Sequence, residues 1–286
     1  MTDVVIIGCG PAGISAALYI LRGGFSVTVI GKDNGALAKA DKIENYYGLD
    51  RTMSGNELVE TGIRQVENLG GTVLREEVVG ISWNNTYSVT TTKNVYECKA
   101  LILTTGTARK SAKIKNMDRL DGFGISYCAV CDGFLHRGKE VAVLGDGEYA
   151  LHEVQELLNV VGHITLLTNG SEPKVEFPPE VSIITTPVKE VTGETKLDSI
   201  VFQDESSLHV SCLFVALGTA KGSDLARKLG IRLDNNKIMV NENMETGLPG
   251  VYAAGDCIGG ILQVSVAVGE GAKAGLSCIQ YLRKFS

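Results

Sequence analysis

The sequence predicts an α/β fold built as two three-layer domains, and three observations carry the prediction. An unbroken apolar run, Val4-Val5-Ile6-Ile7, leads into Gly8-Cys9-Gly10-Pro11-Ala12-Gly13, after which Ile14 to Leu21 is helix-forming. The same grammar restarts at Glu140: Val141 to Leu144 is apolar, Gly145 and Gly147 form the turn, and Tyr149 to Val161 continues as helix. A last strand, Gly250 to Ala254, runs into Gly255-Asp256 and a small-residue helix from Val264 onward. Continuous apolar strands suit a parallel sheet covered on both faces. Strand, glycine turn and helix together open a Rossmann-like, dinucleotide-binding domain.

The remaining elements follow in order. Ser26 to Ile30 reads as the second strand, Met53 to Leu69 as an amphipathic helix and Thr72 to Thr91 as a β-rich meander. Lys99 to Thr105 reads as a buried strand ending at Gly106, and Ile164 to Leu167 as the strand after the second glycine-led helix. The charged, Pro-free stretch Arg109 to Arg119 is the expected first crossover. The expected domains are therefore 1–109 with 240–286, and a middle domain over 110–239.

At 286 residues the chain is long enough for two such cores, and 44% hydrophobic with 21% charged residues is globular composition. A net charge of −6 argues against nucleic-acid binding, which needs a surplus of Lys and Arg. No apolar run approaches the roughly 20 residues that span a bilayer. The N-terminus lacks the basic, then long apolar, pattern of a secretory signal, so a cytoplasmic location is expected. Seven cysteines, with one pair at CxxC spacing, do not resemble a secreted disulfide framework.

In the first glycine turn, Gly8 permits the tight bend, Gly10 lets backbone approach a pyrophosphate, and Gly13 allows close helix–strand packing. The helix start then offers unpaired N–H groups to phosphate. Lys32 and Asp33 end the second strand, where a ribose-binding acid is expected; Asp33 reads equally as a solvated loop acid. The second signal is Cys128-Ala129-Val130-Cys131-Asp132-Gly133. Two thiols so spaced close a small disulfide ring, and Asp132 beside them is placed to move protons. Zinc normally takes four ligands, and no second CxxC or clustered His pair lies nearby, so no metal site is expected. An inert buried pair is the plain structural alternative. His136 reads as either an assistant or a structural residue.

The chain resembles the low-molecular-weight thioredoxin reductase family over nearly its whole length. The resemblance is carried by Gly8 to Gly13, Glu44-Asn45-Tyr46-Tyr47-Gly48, Thr104-Thr105-Gly106, the CAVCDG segment and Ala253-Ala254-Gly255-Asp256. It implies FAD in a discontinuous domain. Gly8, Gly10, Pro11, Ala12 and Gly13 would face the pyrophosphate and Val78 the adenine, with Thr105 and Gly106 close by. Asn45, Gly255, Asp256, Gln263 and Val264 would lie along the ribityl and isoalloxazine. It further implies Cys131 as the thiol facing the flavin, Cys128 as the interchange thiol that attacks thioredoxin, Asp132 as acid–base, and a homodimer.

The sequence departs from that family in the middle domain. NADPH-dependent members carry a phosphate-binding turn and, one strand later, an Arg-rich stretch that grips the 2′-phosphate. Here the turn is Gly145-Asp146-Gly147-Glu148-Tyr149-Ala150, with two carboxylates and a bulky Tyr149, and the next strand ends Leu167-Thr168-Asn169-Gly170 without Arg. Carboxylates repel an approaching pyrophosphate. The flavin loop reads Asn34-Gly35-Ala36-Leu37, lacking the family's Gln. These departures resemble the ferredoxin-dependent flavin thioredoxin reductases. Arg109, Lys110, Lys113, Lys115 and Arg119 form the densest basic run, read as a docking patch for acidic ferredoxin or as a solvated hinge. The alternatives are an unusual NADPH or NADH site, a dithiol oxidase using oxygen, and a flavin-binding redox sensor.

Overall fold

The computed structural model of the chain describes residues 1–106 and 114–284. The chain divides into two compact units, Met1–Ala108 with Lys221–Ser286, and Arg109–Ala220. The first unit opens with β1 (Thr2–Ile7), α1 (Pro11–Arg22), β2 (Val27–Ile30), α2 (Gly55–Asn68), β3 (Thr72–Leu74), β4 (Val78–Asn84), β5 (Thr86–Thr91) and β6 (Val95–Leu103). The second unit holds β7 (Ile125–Ser126), α3 (Ala129–Asp132), β8 (Glu140–Leu144), α4 (Glu148–Leu157) and β9 (His163–Leu167). It continues through β10 (Ser182–Ile184), β11 (Val188–Thr192), β12 (Ser199–Phe202), β13 (Ser207–His209) and β14 (Leu213–Val215). The chain then returns to the first unit with α5 (Gly222–Lys228), β15 (Leu233–Asp234), β16 (Lys237–Ile238), β17 (Val251–Ala253) and α6 (Val264–Leu282).

In the first unit the strand order is β3-β2-β1-β6-β5-β4, with β17 also on β6. β1 pairs in parallel with both β2 and β6, matching Val4 to Val27 and to Ala100. β4 to β6 form an antiparallel meander; of the β-rich meander expected over Thr72 to Thr91, β4 and β5 belong to it, whereas β3 pairs in parallel with β2. Because β1 is central, Val4, Val5 and Ile6 have no exposed surface, which is why the run carries no polar alternation. Helix α2 starts at Ser54, whose Oγ accepts the Glu57 N–H at 3.2 Å while the Glu57 carboxylate accepts the Ser54 N–H at 2.9 Å. That reciprocal box satisfies two otherwise orphaned donors. Ser15 Oγ donates to the Val268 carbonyl at 2.8 Å, tying α1 to α6.

The second unit repeats the plan on a smaller scale. Its all-parallel sheet runs β10-β9-β8-β14-β7, and β11-β12-β13 is a separate antiparallel sheet. Apolar residues of β8, β9, β14 and α4 form one core around Tyr149, Leu157 and Phe214.

The chain re-enters the first unit at Lys221, ahead of the boundary expected at 240. The reason is packing: a Cβ on Gly222 would come 2.3 Å from Thr105 Oγ1 and 3.4 Å from Cys257 Cβ, so α5 lies directly against first-unit residues. The expected crossover and hinge at Arg109–Lys110 lie outside the described residues. Among the described residues, no helix is long and apolar enough to cross a membrane.

Candidate active site

The first unit contains a cradle for an extended ligand. Gly8 has φ +121°, and a Cβ there would meet the Thr104 carbonyl at 2.2 Å, so only glycine makes this bend. A Cβ on Gly13 would meet the Gly8 carbonyl at 2.1 Å. Gly10, by contrast, caps α1 with no side-chain bond, and a Cβ there would meet nothing within 4 Å. The open side of this turn therefore faces α1's free N–H groups, with Pro11 at the first helical position, where a missing N–H costs nothing. Ala12 packs against Gly255, where a Cβ would come 2.9 Å from the Ala12 Cβ.

Buried polar atoms without partners mark the rest of the cradle. Among the described residues these are Asn34 Oδ1, Glu77 Oε1 and Thr105 Oγ1. Such groups cost about 1–3 kcal/mol each when left unpaired, so their placement favours a polar ligand. Lys32 forms an ion pair with the second oxygen of Glu77. Asp33 accepts the Gly35 N–H at 2.8 Å, a turn-forming bond that the sequence left open beside the ribose reading. Asn34 donates at 2.7 Å to both Asn56 and Glu60, which fixes its amide and aims the orphaned oxygen.

Other predicted residues converge on the same unit. The Asn45 amide donates to Gln263 Oε1 at 3.2 Å, bringing together positions far apart in sequence. Val264 begins α6, Val78 is buried at the start of β4, and Gly106 has open space around its α-carbon. The Gly255 N–H donates to Glu270 at 2.9 Å, and burial pushes both Asp256 and Glu270 above the usual carboxylate range. Glu77 and Glu270 were not found by sequence reasoning, since isolated acids carry no spacing signal.

The second unit carries the disulfide pair. Cys128 and Cys131 are joined in a disulfide, with Cys128 capping α3 and the Cys131 N–H donating to its Sγ at 3.1 Å. Cys128 is 2% exposed, whereas Cys131 is exposed. Ser126 Oγ donates to Asp132 Oδ2 at 2.7 Å and accepts the Cys128 N–H at 3.1 Å, so one hydroxyl links the acid to the pair. Ser126 was missed at the sequence level because it precedes the motif. His136 is instead engaged with Ser211 at 3.0 Å and packs edge-on to Phe214, with its pKa lowered first by burial and then by Lys139. The other five cysteines are free and buried.

In the second glycine turn, Asp146 is held by its own unit's residues. Asp146 Oδ2 is 2.7 Å from Lys174 Nζ and accepts the Ser171 hydroxyl at 3.0 Å, while its carbonyl accepts the Lys174 N–H at 2.7 Å. Of the basic run, Lys115 pairs with Glu190 at 2.9 Å, and Arg119 donates to the carbonyls of Glu194 and Gly193 at 2.7 and 2.6 Å. These two cations serve the unit's own loops; Arg109, Lys110 and Lys113 lie outside the described residues.

The family described as pyridine nucleotide-disulphide oxidoreductase matches residues 2–271. The chain belongs to this family. It is an oxidoreductase with two Rossmann-like units and binds FAD, and the cradle fits that cofactor: an open phosphate turn, orphaned acceptors and a hydroxyl in one unit. Within the family it is similar to the thioredoxin reductase of Aquifex aeolicus, 32% identical over 302 residues, covering 98% of this chain and 93% of that protein. Among solved structures, the atypical thioredoxin reductase TRi from Desulfovibrio vulgaris Hildenborough is 36% identical with a TM-score of 0.92, covering 99% of each chain. A ferredoxin-flavin thioredoxin reductase from Clostridium acetobutylicum is 30% identical with a TM-score of 0.75, covering 99% of this chain and 98% of that one.

Proposed function

We propose that the chain is a thioredoxin reductase whose working pair is Cys128 and Cys131, supplied with electrons by reduced ferredoxin instead of a pyridine nucleotide. FAD, when bound, supplies the means to collect single electrons and release them as a pair. Gly8, Gly10, Pro11, Ala12 and Gly13 would hold its pyrophosphate, with Lys32, Asp33, Val78, Thr105 and Gly106 toward the adenosine. Asn45, Gly255, Asp256, Gln263 and Val264 would hold the remainder.

The protein's own residues perform the exchange. In the reduced pair, Cys128 as thiolate attacks one sulfur of the thioredoxin disulfide and expels the other as thiolate. Cys131 then attacks Cys128, re-forming the internal disulfide and releasing thioredoxin as dithiol, with two electrons and two protons delivered. Asp132, oriented by Ser126, holds the proton exchanged with the departing thiolate. Because Cys128 is 2% exposed, the attack requires a rearrangement that uncovers it. Exposed Cys131 suits the thiol assigned to the flavin side.

The observation that carries the donor assignment is Asp146 bound to Lys174 and Ser171 in the turn where a nucleotide pyrophosphate would be received. Likeness to a ferredoxin-flavin enzyme supports the same reading. The reading includes a homodimer in the cytoplasm, which sedimentation and fractionation test. The donor is tested by anaerobic mixing: NADPH and NADH leave the flavin colour unchanged, while reduced ferredoxin bleaches it and drives thioredoxin reduction. Rapid bleaching by either nucleotide would overturn the ferredoxin assignment.

A further inference from the structure

Helix α4 begins beside the turn in which Asp146 is bound by Ser171 and Lys174. Farther along, the same helix carries two enclosed polar side chains. Tyr149 is 0% exposed, and its hydroxyl donates to the Tyr127 carbonyl at 3.2 Å. Glu153 is 1% exposed, and its carboxylate accepts the Ala129 N–H at 2.7 Å. Positions 149 and 153 are four apart and share one helix face. Tyr127 and Ala129 are the chain neighbours of Cys128, one on each side.

Neither side chain is explained by packing alone. The surrounding core is apolar, made of residues such as Val141, Val143, Val154 and Phe214, and a carboxylate enclosed there is costly unless it makes a strong bond. Glu153 makes one at charge-assisted length, with the first N–H beyond Cys128. Tyr149 stands where the sequence showed an obstacle to nucleotide binding, and its hydroxyl reaches the last carbonyl before Cys128.

We propose that Tyr149 and Glu153 are positioning residues that clamp the backbone on both sides of Cys128 and thereby set the redox equilibrium of the disulfide, α4 serving the redox pair in place of a nucleotide. The proposal rests on the reading of Cys128–Cys131 as the redox centre. The clamp is formed with the disulfide closed and holds the backbone in the closed-ring conformation. The clamp favours the disulfide, so loosening either contact moves the pair toward dithiol.

The test equilibrates the FAD-loaded protein with mixtures of reduced and oxidised dithiothreitol. The protein disulfide and the reagent dithiol become the protein dithiol and the cyclic reagent disulfide, two electrons and two protons passing between them. Alkylation and intact mass then count the thiols, and flavin absorbance reports FAD retention. Glu153→Gln keeps an acceptor oxygen but loosens the short bond to the Ala129 N–H, and is expected to raise the equilibrium constant for dithiol formation about tenfold, ~30 mV. Tyr149→Phe keeps the ring but removes the hydroxyl, and is expected to raise it about threefold, ~14 mV. Values within twofold of wild type for both variants, with FAD retained, overturn the clamp. If Glu153→Gln does not fold, Tyr149→Phe alone decides by the same limit. No thioredoxin or ferredoxin enters the measurement: shifted equilibria without thioredoxin turnover in the wild type fault the proposed function and leave the clamp standing. Unshifted equilibria with normal turnover fault the clamp alone.

Discussion

Lys174 Nζ lies 2.7 Å from Asp146 Oδ2, across the turn that opens helix α4. The Lys174 side chain is 67% exposed and the Asp146 side chain 12%, so the two ends of this pair are unequal. An exposed lysine gives up little when lost, and Lys174→Ala is expected to cost less than about 1 kcal/mol. Asp146→Ala removes the acceptor of both Lys174 and Ser171 and is expected to cost about 1–2 kcal/mol. Thermal melts of the two variants check the order; a larger loss for Lys174→Ala would contradict it.

Cys128→Ser and Cys131→Ser are each expected to abolish thioredoxin reduction, because the internal disulfide needs both sulfurs. Flavin content should be unchanged, since the cradle residues lie in the other unit. Steady-state turnover with thioredoxin and the visible spectrum give the two readouts, and retained turnover in either variant would remove the pair from the mechanism.

Two neighbouring glycines should fail in different ways. A Cβ on Gly13 collides with the Gly8 carbonyl, so Gly13→Ala is expected to lower the melting temperature of flavin-free protein. A Cβ on Gly10 meets nothing within 4 Å, so Gly10→Ala should leave that temperature unchanged. It would instead intrude on the phosphate path and weaken FAD binding by at least about tenfold. Flavin titration separates the cases.

Much of this architecture was legible because its signals are local. Val4 to Ile7 is apolar throughout because β1 is central, and Gly8 and Gly13 sit where a side chain collides. CAVCDG announces its own chemistry by spacing. What escaped depends on residues distant in sequence. The return to the first unit at Lys221 is set by Gly222 fitting against Thr105, more than a hundred positions away, with no apolar strand to mark it. Asp146 as a repelling acid was readable; its capture by Ser171 and Lys174 was not, because a loop serine and lysine look solvated. Ser126 and Glu153 escaped likewise, being an ordinary strand-end hydroxyl and an ordinary helix acid until folding places them beside the cysteines.

Asp256 offers a pH test. Burial raises its folded-state pKa above the unfolded value, so the folded state holds a proton that the unfolded state has released. Flavin-free protein therefore loses stability as pH rises from the unfolded value of 3.8 through the raised folded value. Asp256→Asn does not titrate and escapes that loss. Melts from pH 4 to 7 should show wild type falling relative to the variant as pH rises, and the reverse trend would contradict the sign.

Thiol counting provides a further check. Burial pushes Cys9 up to about 11 and Cys98, Cys212 and Cys257 up to about 12, with Cys278 raised as well. Thiolates are the reactive form, so these five should resist alkylation near neutral pH in folded protein. Oxidised protein should label scarcely at all, and reduced protein should gain one prompt label on exposed Cys131 and a slower one on Cys128, which is 2% exposed and labels only as the rearrangement uncovers it. Prompt labelling of a third thiol would contradict the burial.

The hydroxyl of Tyr149 bears on any effort to re-engineer this enzyme for a soluble hydride donor. A smaller side chain at that position would cut the tie to the Tyr127 carbonyl. Under the proposed donor assignment, a nucleotide turn rebuilt there would disturb the disulfide it is meant to feed. A side chain so enclosed then acts as a ratchet, passable in one direction and blocked in the other unless the disulfide segment finds a new anchor first.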